Sequence, residues 1–309
     1  MAADLFTLSI STGMISQRQR QSAAVVEAPY HELAIAVHQA KATNIDETSW
    51  RERVRKVGLW ATVTPLFTVF TIAKNRSGEV AKALLGSEDD QVVSSDRFRA
   101  YHGITARWRP ICWAHLRRDF QAMMDRGGDG EPVGRKWLSL SNRLFRPWHR
   151  VRDGTGEWSS FPQAMSRLRR EVKPALEDGS RCACAKTAAT CFEILKVEEG
   201  LWTFARVQGV EPTNNAVERA LRHAVIWRRI SGGTDSADGS RFVERMRTVV
   251  ATCRQQGHNV LEDLSRCFEA DHRGQAIPSL LPVTTPETKA ARYCQISWME
   301  VKGRAAYPW

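Results

Sequence analysis

The sequence is 309 residues long and carries 45 Lys and Arg against 34 Asp and Glu, a formal net charge of +11; this leaves room for one large domain or two and favours a polyanionic partner. No run of about 18 apolar residues occurs, and no basic segment precedes an apolar one in the first twenty residues, so neither a spanning helix nor a secretory leader is expected and the cytoplasm is the expected compartment. Seven cysteines at low density fit reduced thiols rather than a disulfide scaffold, and Cys182, Cys184 and Cys191 lack the second pair that a structural zinc site needs.

Residues 1–41 read as helical and polar, with Leu33, Ala34, Val37 and Ala40 at helical spacing. The pattern then changes. A short strand is expected at 42–46, and two β-rich runs at 58–64 and 66–73 are split by Pro65, which a turn tolerates and a central strand does not. Ser77 can cap a helix ending at Gly86, with Val80, Ala83 and Leu84 as its apolar face. A fourth strand is expected at 91–95 and a fifth at 109–112. From 113 to about 210 amphipathic stripes follow one another: Trp113, Leu116, Phe120 and Met123, then Val133, Trp137, Leu140 and Leu144, then Met165, Leu168 and Val172, then Phe192 and Leu195.

The stretch EPTNNAVERALR, 211–222, is a turn signal that opens a helix, with Asn214 or Asn215 as cap and Glu218 in the first turn beside Arg219, Arg222 and His223. Asn215 and Glu218 also have capping-box spacing. A loop is expected at 231–240. Beyond it, Ser240 caps a helix with Phe242, Met246, Val249, Val250 and Cys253 on one face. A further helix, capped by Asn259, turns Val260, Leu261, Leu264 and Phe268 inward. The chain from 271 carries prolines and no clear periodicity, so 271–309 reads as an extended or disordered tail.

Two more acids fall at the ends of strand-like runs, Asp46 in ATNIDETSW and Asp96 in QVVSSDRFRAY. Taken singly, Asp46 could be a solvated strand end and Asp96 a helix cap. Together with Glu218 they follow the β-β-β-α-β-(α)-β order of an RNase H-like fold, a mixed sheet with acids on its first strand and after its fourth. Three carboxylates held together repel unless cations neutralise them, and hard oxygen ligands suit Mg²⁺ or Mn²⁺. Two such ions promote in-line displacement at phosphorus, hydrolytic or by transesterification.

The segments NIDETSWR, NRSGEV, SDRFRAY, CWAHLRRDF, EPTNNAVERALRHAVIWRR, GSRFVERMRTVVATCRQQG and PSLLP resemble the transposases of the insertion sequence 66 family, of the DDE type, over roughly residues 10–282. The resemblance implies an α/β RNase H-like mixed sheet flanked by helices and interrupted by an all-helical insertion. It implies Asp46, Asp96 and Glu218 as catalytic and metal-binding residues, two Mg²⁺ or Mn²⁺ ions, and double-stranded DNA at transposon ends and target as partner. The division this reading expects is a helical N-terminal remnant at 1–41, catalytic core at 42–112 and 211–270, helical insertion at 113–210, and the tail. Arg117 and Arg118 of CWAHLRR, with Arg219, Arg222, Arg228 and Arg229, are candidates for phosphate contact, while His115 could equally be a satisfied core histidine. A homo-oligomer or an assembly with other transposition proteins is expected, because strand transfer needs two ends held together, and no membrane partner is. The alternative is a catalytically inactive shortened derivative, since family members are usually much longer and carry an end-recognising segment first.

Overall fold

The computed structural model describes residues 10–86 and 91–282. Among them four strands and eleven α-helices make an α/β protein with strands flanked by helices; the expected tail beyond 282 lies outside the described residues. Two compact units form, one from residues 10–86 and 215–282, the other from 91–214.

The first unit opens with α1 (Thr12–Val25) and α2 (Glu27–His38), followed by β1 (Ala42–Glu52), β2 (Arg55–Val63) and β3 (Thr68–Ala73). β1 and β2 pair antiparallel from Asn44↔Val63 to Glu52↔Arg55, and β2 pairs antiparallel with β3 from Gly58↔Ala73 to Val63↔Thr68. The first strand therefore runs well past the expected 46 and carries Asp46 in its middle, not at its end. Cross-strand pairing outweighs the polar run ETSWRE, because the backbone as far as the turn at Arg53 and Val54 is matched residue by residue with β2, which satisfies its polar groups. Pro65 lies in the turn to β3, where Thr64 Oγ1 accepts from the Leu66 and Phe67 N–H groups at 3.2 and 3.0 Å. In α3 (Gly78–Leu85) the buried residues are Val80, Ala81 and Leu85. The helix is thus rotated from the expected face through Ala83 and Leu84.

The chain returns to this unit with α9 (Asn215–Ser231), α10 (Ala237–Gln256) and α11 (Val260–His272). Val217, Leu221 and Ala224 of α9 pack with Trp50, Leu59, Ala61, Phe70 and Ile72. Tyr30, Leu33 and Val37 of α2 pack with Val69, Val249, Cys253 and Cys267 in a second cluster. Ser236, not Ser240, caps α10, accepting from the Gly239 N–H at 3.1 Å. Ser240 is buried one turn inside and donates to Glu52 Oε2 at 2.5 Å. Asn259 caps α11 as expected. That helix, however, buries Asp263, Cys267 and Ala270 and leaves Leu261 and Phe268 exposed.

The second unit holds β4 (Val92–Ser94) and the helices α4 (Trp113–Asp125), α5 (Gly130–Arg152), α6 (Phe161–Ser180), α7 (Ala185–Leu195) and the single turn α8 (Thr203–Arg206). The expected fifth strand is reduced to one parallel bridge, Ser95↔Ile111. Ser95 N–H donates to the Pro110 carbonyl at 3.2 Å and Cys112 N–H to the Ser95 carbonyl at 3.1 Å, and Pro110, having no N–H, cannot extend the ladder. The expected stripes of α4 to α6 are buried almost throughout, and Phe120 stacks on Trp137 with ring centroids 4.9 Å apart. A Cβ at Gly134 would lie 2.6 Å from the Phe120 carbonyl oxygen, so the approach of α4 to α5 needs glycine there. On α7, Cys191 and Ile194 are buried and Phe192 is exposed, a correction to the expected stripe.

Candidate active site

Asp46 and Glu218 both belong to the first unit. Asp46 pairs with Ala61, and Ala61 with Phe70. Directly paired residues share one face of a sheet, and Ala61 and Phe70 lie in the cluster packed under α9. Asp46 therefore lies on the face that α9 covers, half-buried, with its Oδ1 accepting from the Glu47 N–H at 2.9 Å. Glu47 falls on the opposite face, buried, and its Oε1 accepts from Arg76 Nη2 at 2.8 Å.

The C-terminal end of α9 is fixed over the hairpin. Arg228 Nη1 donates to Thr48 Oγ1 at 2.9 Å and Ser49 Oγ at 3.0 Å, and Trp227 stacks on Trp50 at 5.6 Å with an interplanar angle of 16°. Just beyond the helix, Thr234 N–H donates to the Arg51 carbonyl at 2.9 Å and accepts, through its own carbonyl, from the Arg53 N–H at 2.7 Å. The helix thus ends at the hairpin turn and runs back along the sheet. Going back from Arg228 to Glu218 covers ~15 Å at 1.5 Å per residue, and from Ser49 to Asp46 about 10 Å at 3.3 Å per residue. Glu218 consequently lies toward the Asp46 end of β1, beside the buried stripe of α9. Asn215 is the first helical residue and Glu218 the fourth, so both stand in the first turn of α9.

Asp96 belongs to the second unit, directly after β4. Its Oδ1 accepts from the Phe98 N–H at 2.7 Å, an Asx turn rather than the helix cap that the sequence allowed, because the following 3₁₀ turn Arg99–Tyr101 starts from Phe98 and has no side-chain cap. Behind it Arg109, 2 % exposed, donates from Nε to Ser95 Oγ at 3.0 Å and from Nη2 to the Asp96 carbonyl at 2.8 Å. Burial lowers the Arg109 pKa to about 10 against the attraction of Asp96, so the guanidinium stays charged at neutral pH. Sequence reasoning missed this residue. Its only signal was an arginine next to a proline at an expected strand start. The segment before Glu218 is also anchored inside this unit: Trp113 N–H donates to the Pro212 carbonyl at 2.8 Å, and Asn214 N–H to Cys112 Sγ at 3.2 Å. The ordered motifs CWAHLRR and EPTNN are joined there.

The basic candidates separate. Arg117 Nη1 donates to Ser141 Oγ and Asn142 Oδ1 at 2.7 and 2.6 Å, which occupies it in joining α4 to α5. Arg228 is occupied by β1. Arg118, Arg219, Arg222 and Arg229 have exposed side chains, and His115 is half-buried on α4. The sequence reading passed over a further basic group at the β1–β2 turn, where Arg51, Arg53, Arg55 and Lys56 are all exposed. The run RERVRK was its signal, masked by the expectation that β1 ended at 46.

Comparison with known families matches residues 1–241 to the family described as "Transposase IS66 family". The chain belongs to this family. The matched range takes in Asp46, Asp96 and Glu218. A curated relative, "Uncharacterized protein y4qI" of Sinorhizobium fredii (strain NBRC 101917 / NGR234), is 27% identical over 184 residues, covering 55% of this chain and 33% of the relative. The chain thus aligns with about a third of that relative's length. No solved structure matches. Among the described residues no helix is long and apolar enough to cross a membrane.

Proposed function

We propose that this chain is the catalytic region of a metal-dependent DNA transposase that cleaves DNA at element ends and transfers the freed strand. The observation that carries the reading is the family match over residues 1–241, which includes all three acids on an α/β chain. In this reading the fold is RNase H-like, residues 42–112 and 211–270 are two parts of one catalytic core, and 113–210 is an insertion.

Asp46, Asp96 and Glu218 are the proposed ligands of two Mg²⁺ or Mn²⁺ ions. Their donor set fits hard cations that take carboxylate oxygens, water and phosphate. Asp46 and Asp96 each have one carboxylate oxygen held by a main-chain N–H, which fixes the carboxylate plane before an ion arrives. Bound divalent ions supply Lewis acidity toward the phosphodiester and activate the attacking water or 3′-hydroxyl. The protein's own part is positional. The hairpin clamp of Arg228 and Trp227 fixes α9, and Arg109 holds the strand end that carries Asp96. Arg219, Arg222 and Arg229 are exposed on the same helix as Glu218 and would contact phosphates that flank the scissile one. The partner is double-stranded DNA, and joining two ends requires a dimer or a larger assembly.

Nicking of supercoiled plasmid and of labelled element-end DNA in Mn²⁺ tests the reading. Asp46→Asn, Asp96→Asn and Glu218→Gln should each lower the rate by more than ~100-fold, because even residues behind a metal ligand are worth 10–100-fold. EDTA should abolish cleavage. DNA binding that survives EDTA, with no cleavage at any Mg²⁺ or Mn²⁺ concentration, would instead establish an inactive derivative that binds DNA or joins an assembly.

A further inference from the structure

The turn between β1 and β2 is built from Arg53 and Val54, between the paired residues Glu52 and Arg55. Two-residue hairpin turns favour Asn, Asp and Gly, because a central residue must take positive φ. Here Arg53 takes it, with φ 52, the one non-glycine residue to do so among the described residues. Val54, β-branched and a poor turn former, stands beside it 95% exposed. Neither residue is there for the turn's sake. A conformation of this kind persists only where its surroundings over-determine it, and such positions gather at functional sites.

The surroundings do over-determine it. The Arg53 N–H is held by the Thr234 carbonyl at 2.7 Å, Thr234 N–H by the Arg51 carbonyl at 2.9 Å, and Thr234 Oγ1 accepts from Trp50 Nε1 at 3.2 Å. Gly233, at φ 121, passes so close that a Cβ there would collide with the Arg51 carbonyl oxygen. The one acid of the tip, Glu52, accepts from Ser240 Oγ at 2.5 Å, which partners it internally. Arg51, Arg53, Arg55 and Lys56 are exposed, and none makes an ion pair among the described residues. The tip and the loop behind it border a cavity of about 520 Å³, open to solvent and lined by Arg51, Arg53, Val54, Gly233, Thr234 and Asp235.

We propose that this rigid hairpin tip is a DNA-gripping element: Arg51, Arg53, Arg55 and Lys56 contact backbone phosphates of duplex DNA, and Val54 enters the minor groove between them. Exposed guanidinium groups carry backbone affinity, and an apolar side chain between them is the kind of residue that proteins wedge into a minor groove. Rigidity matters here, because a tip already held in shape loses little conformational freedom on binding. The proposal rests on the reading of the chain as DNA-acting, and adds an element away from the proposed carboxylates.

The test is fluorescence anisotropy of the full chain with a labelled 30-base-pair duplex from about 50 to 300 mM salt, in EDTA so that cleavage plays no part. The variants are Arg51→Ala/Arg55→Ala/Lys56→Ala, Val54→Asp, and Arg53→Gly, which removes a cation while relieving the backbone. Melting temperatures near the parent's establish that each is folded. The triple variant should bind at least ~10-fold more weakly, with a salt slope shallower by about 0.9 for each phosphate it no longer neutralises. Arg53→Gly should weaken binding although it stabilises the turn, and Val54→Asp should weaken it more than any single cation removal. Parent-like affinity and slope in the triple variant overturn the proposal while leaving the transposase reading intact. A parent chain that binds no duplex at all overturns both. Weaker binding of the triple variant to anionic lipid vesicles, with duplex binding unchanged, overturns it in favour of a membrane surface.

Discussion

Glu244 sits on α10 with no exposed surface, its Oε2 accepting from the Ile72 N–H at 2.8 Å and its Oε1 2.7 Å from Arg241 Nη1. Burial is the main cause that pushes its pKa from 4.5 up to about 7; the Ile72 N–H, Arg241 and Arg245 oppose the rise, and Glu52 adds to it. Burial likewise, with the nearby Glu244 second, raises Tyr30 to about 12. Below pH 4.5 both folded and unfolded chains hold the Glu244 proton. Between 4.5 and 7 the unfolded chain releases it and the folded chain keeps it, so stability falls as pH rises. Above pH 7 the loss is complete, at about 3 kcal/mol for a shift of this size. Glu244→Gln keeps an acceptor for Ile72 and cannot ionise. Its melting temperature relative to the parent should rise between pH 5 and pH 8; an unchanged difference would mean that Glu244 titrates normally.

At the scale of elements, α10 closes the exposed edge of β3 with side chains. Glu244, Thr248 and Thr252 accept from the main-chain N–H groups of Ile72, Phe70 and Thr68 at 2.8, 2.9 and 3.2 Å. One helical step of four residues rises about 6.0 Å and two strand residues about 6.8 Å, so the spacings match closely enough for three successive bonds along an antiparallel helix and strand. Gln255 continues the contact, donating to the Thr64 carbonyl at 2.7 Å. An unpaired strand edge invites association with another chain, and here polar side chains occupy it. Thr248→Val keeps the shape and leaves the Phe70 N–H buried without its acceptor, which should cost about 1–3 kcal/mol in urea unfolding, whereas Thr248→Ser should cost less than half as much. Equal destabilisation in the two variants would point to packing rather than the hydrogen bond. Nothing in the residue pattern announces this contact. Amphipathic patterning assigns Phe242, Met246 and Val249 inward and treats Thr and Glu as solvent-facing, whereas a strand edge presents polar groups and takes polar partners.

At the scale of the molecule, the first unit is assembled from two parts far apart in sequence, residues 10–86 and 215–282. The strands supply one side of the core around Trp50, Leu59 and Phe70, and α9 supplies the other with Val217, Leu221 and Ala224. A chain ending at residue 214 should therefore lose amide protection over 42–73. The second unit, continuous in sequence and with its own core around Trp113, Phe120, Trp137 and Phe161, should keep protection over 113–195. Hydrogen exchange read peptide by peptide checks both halves of this expectation, and retained protection over 42–73 would show that the strands need no helix from the C-terminal part.

The order of the first four strands, the turn at Pro65, the stripes of α4 to α6 and the family itself were legible without coordinates, whereas the expected fifth strand was not formed. Local periodicity, helix caps and ordered motifs are written in neighbouring residues, and in the three acids' sequence context. What only the tertiary structure decided are features that depend on residues distant in sequence. The length of β1 depends on β2, which pairs with it through the turn, and so does the mid-strand place of Asp46. The inward turn of Glu244 and Thr248 depends on the edge of β3, and the acceptors that Arg117 and Arg228 find at Ser141, Asn142, Thr48 and Ser49 are likewise supplied from elsewhere in the sequence. A side chain's charge is fixed by its own chemistry, but whether that charge is left for a ligand is fixed by the neighbours that folding brings to it.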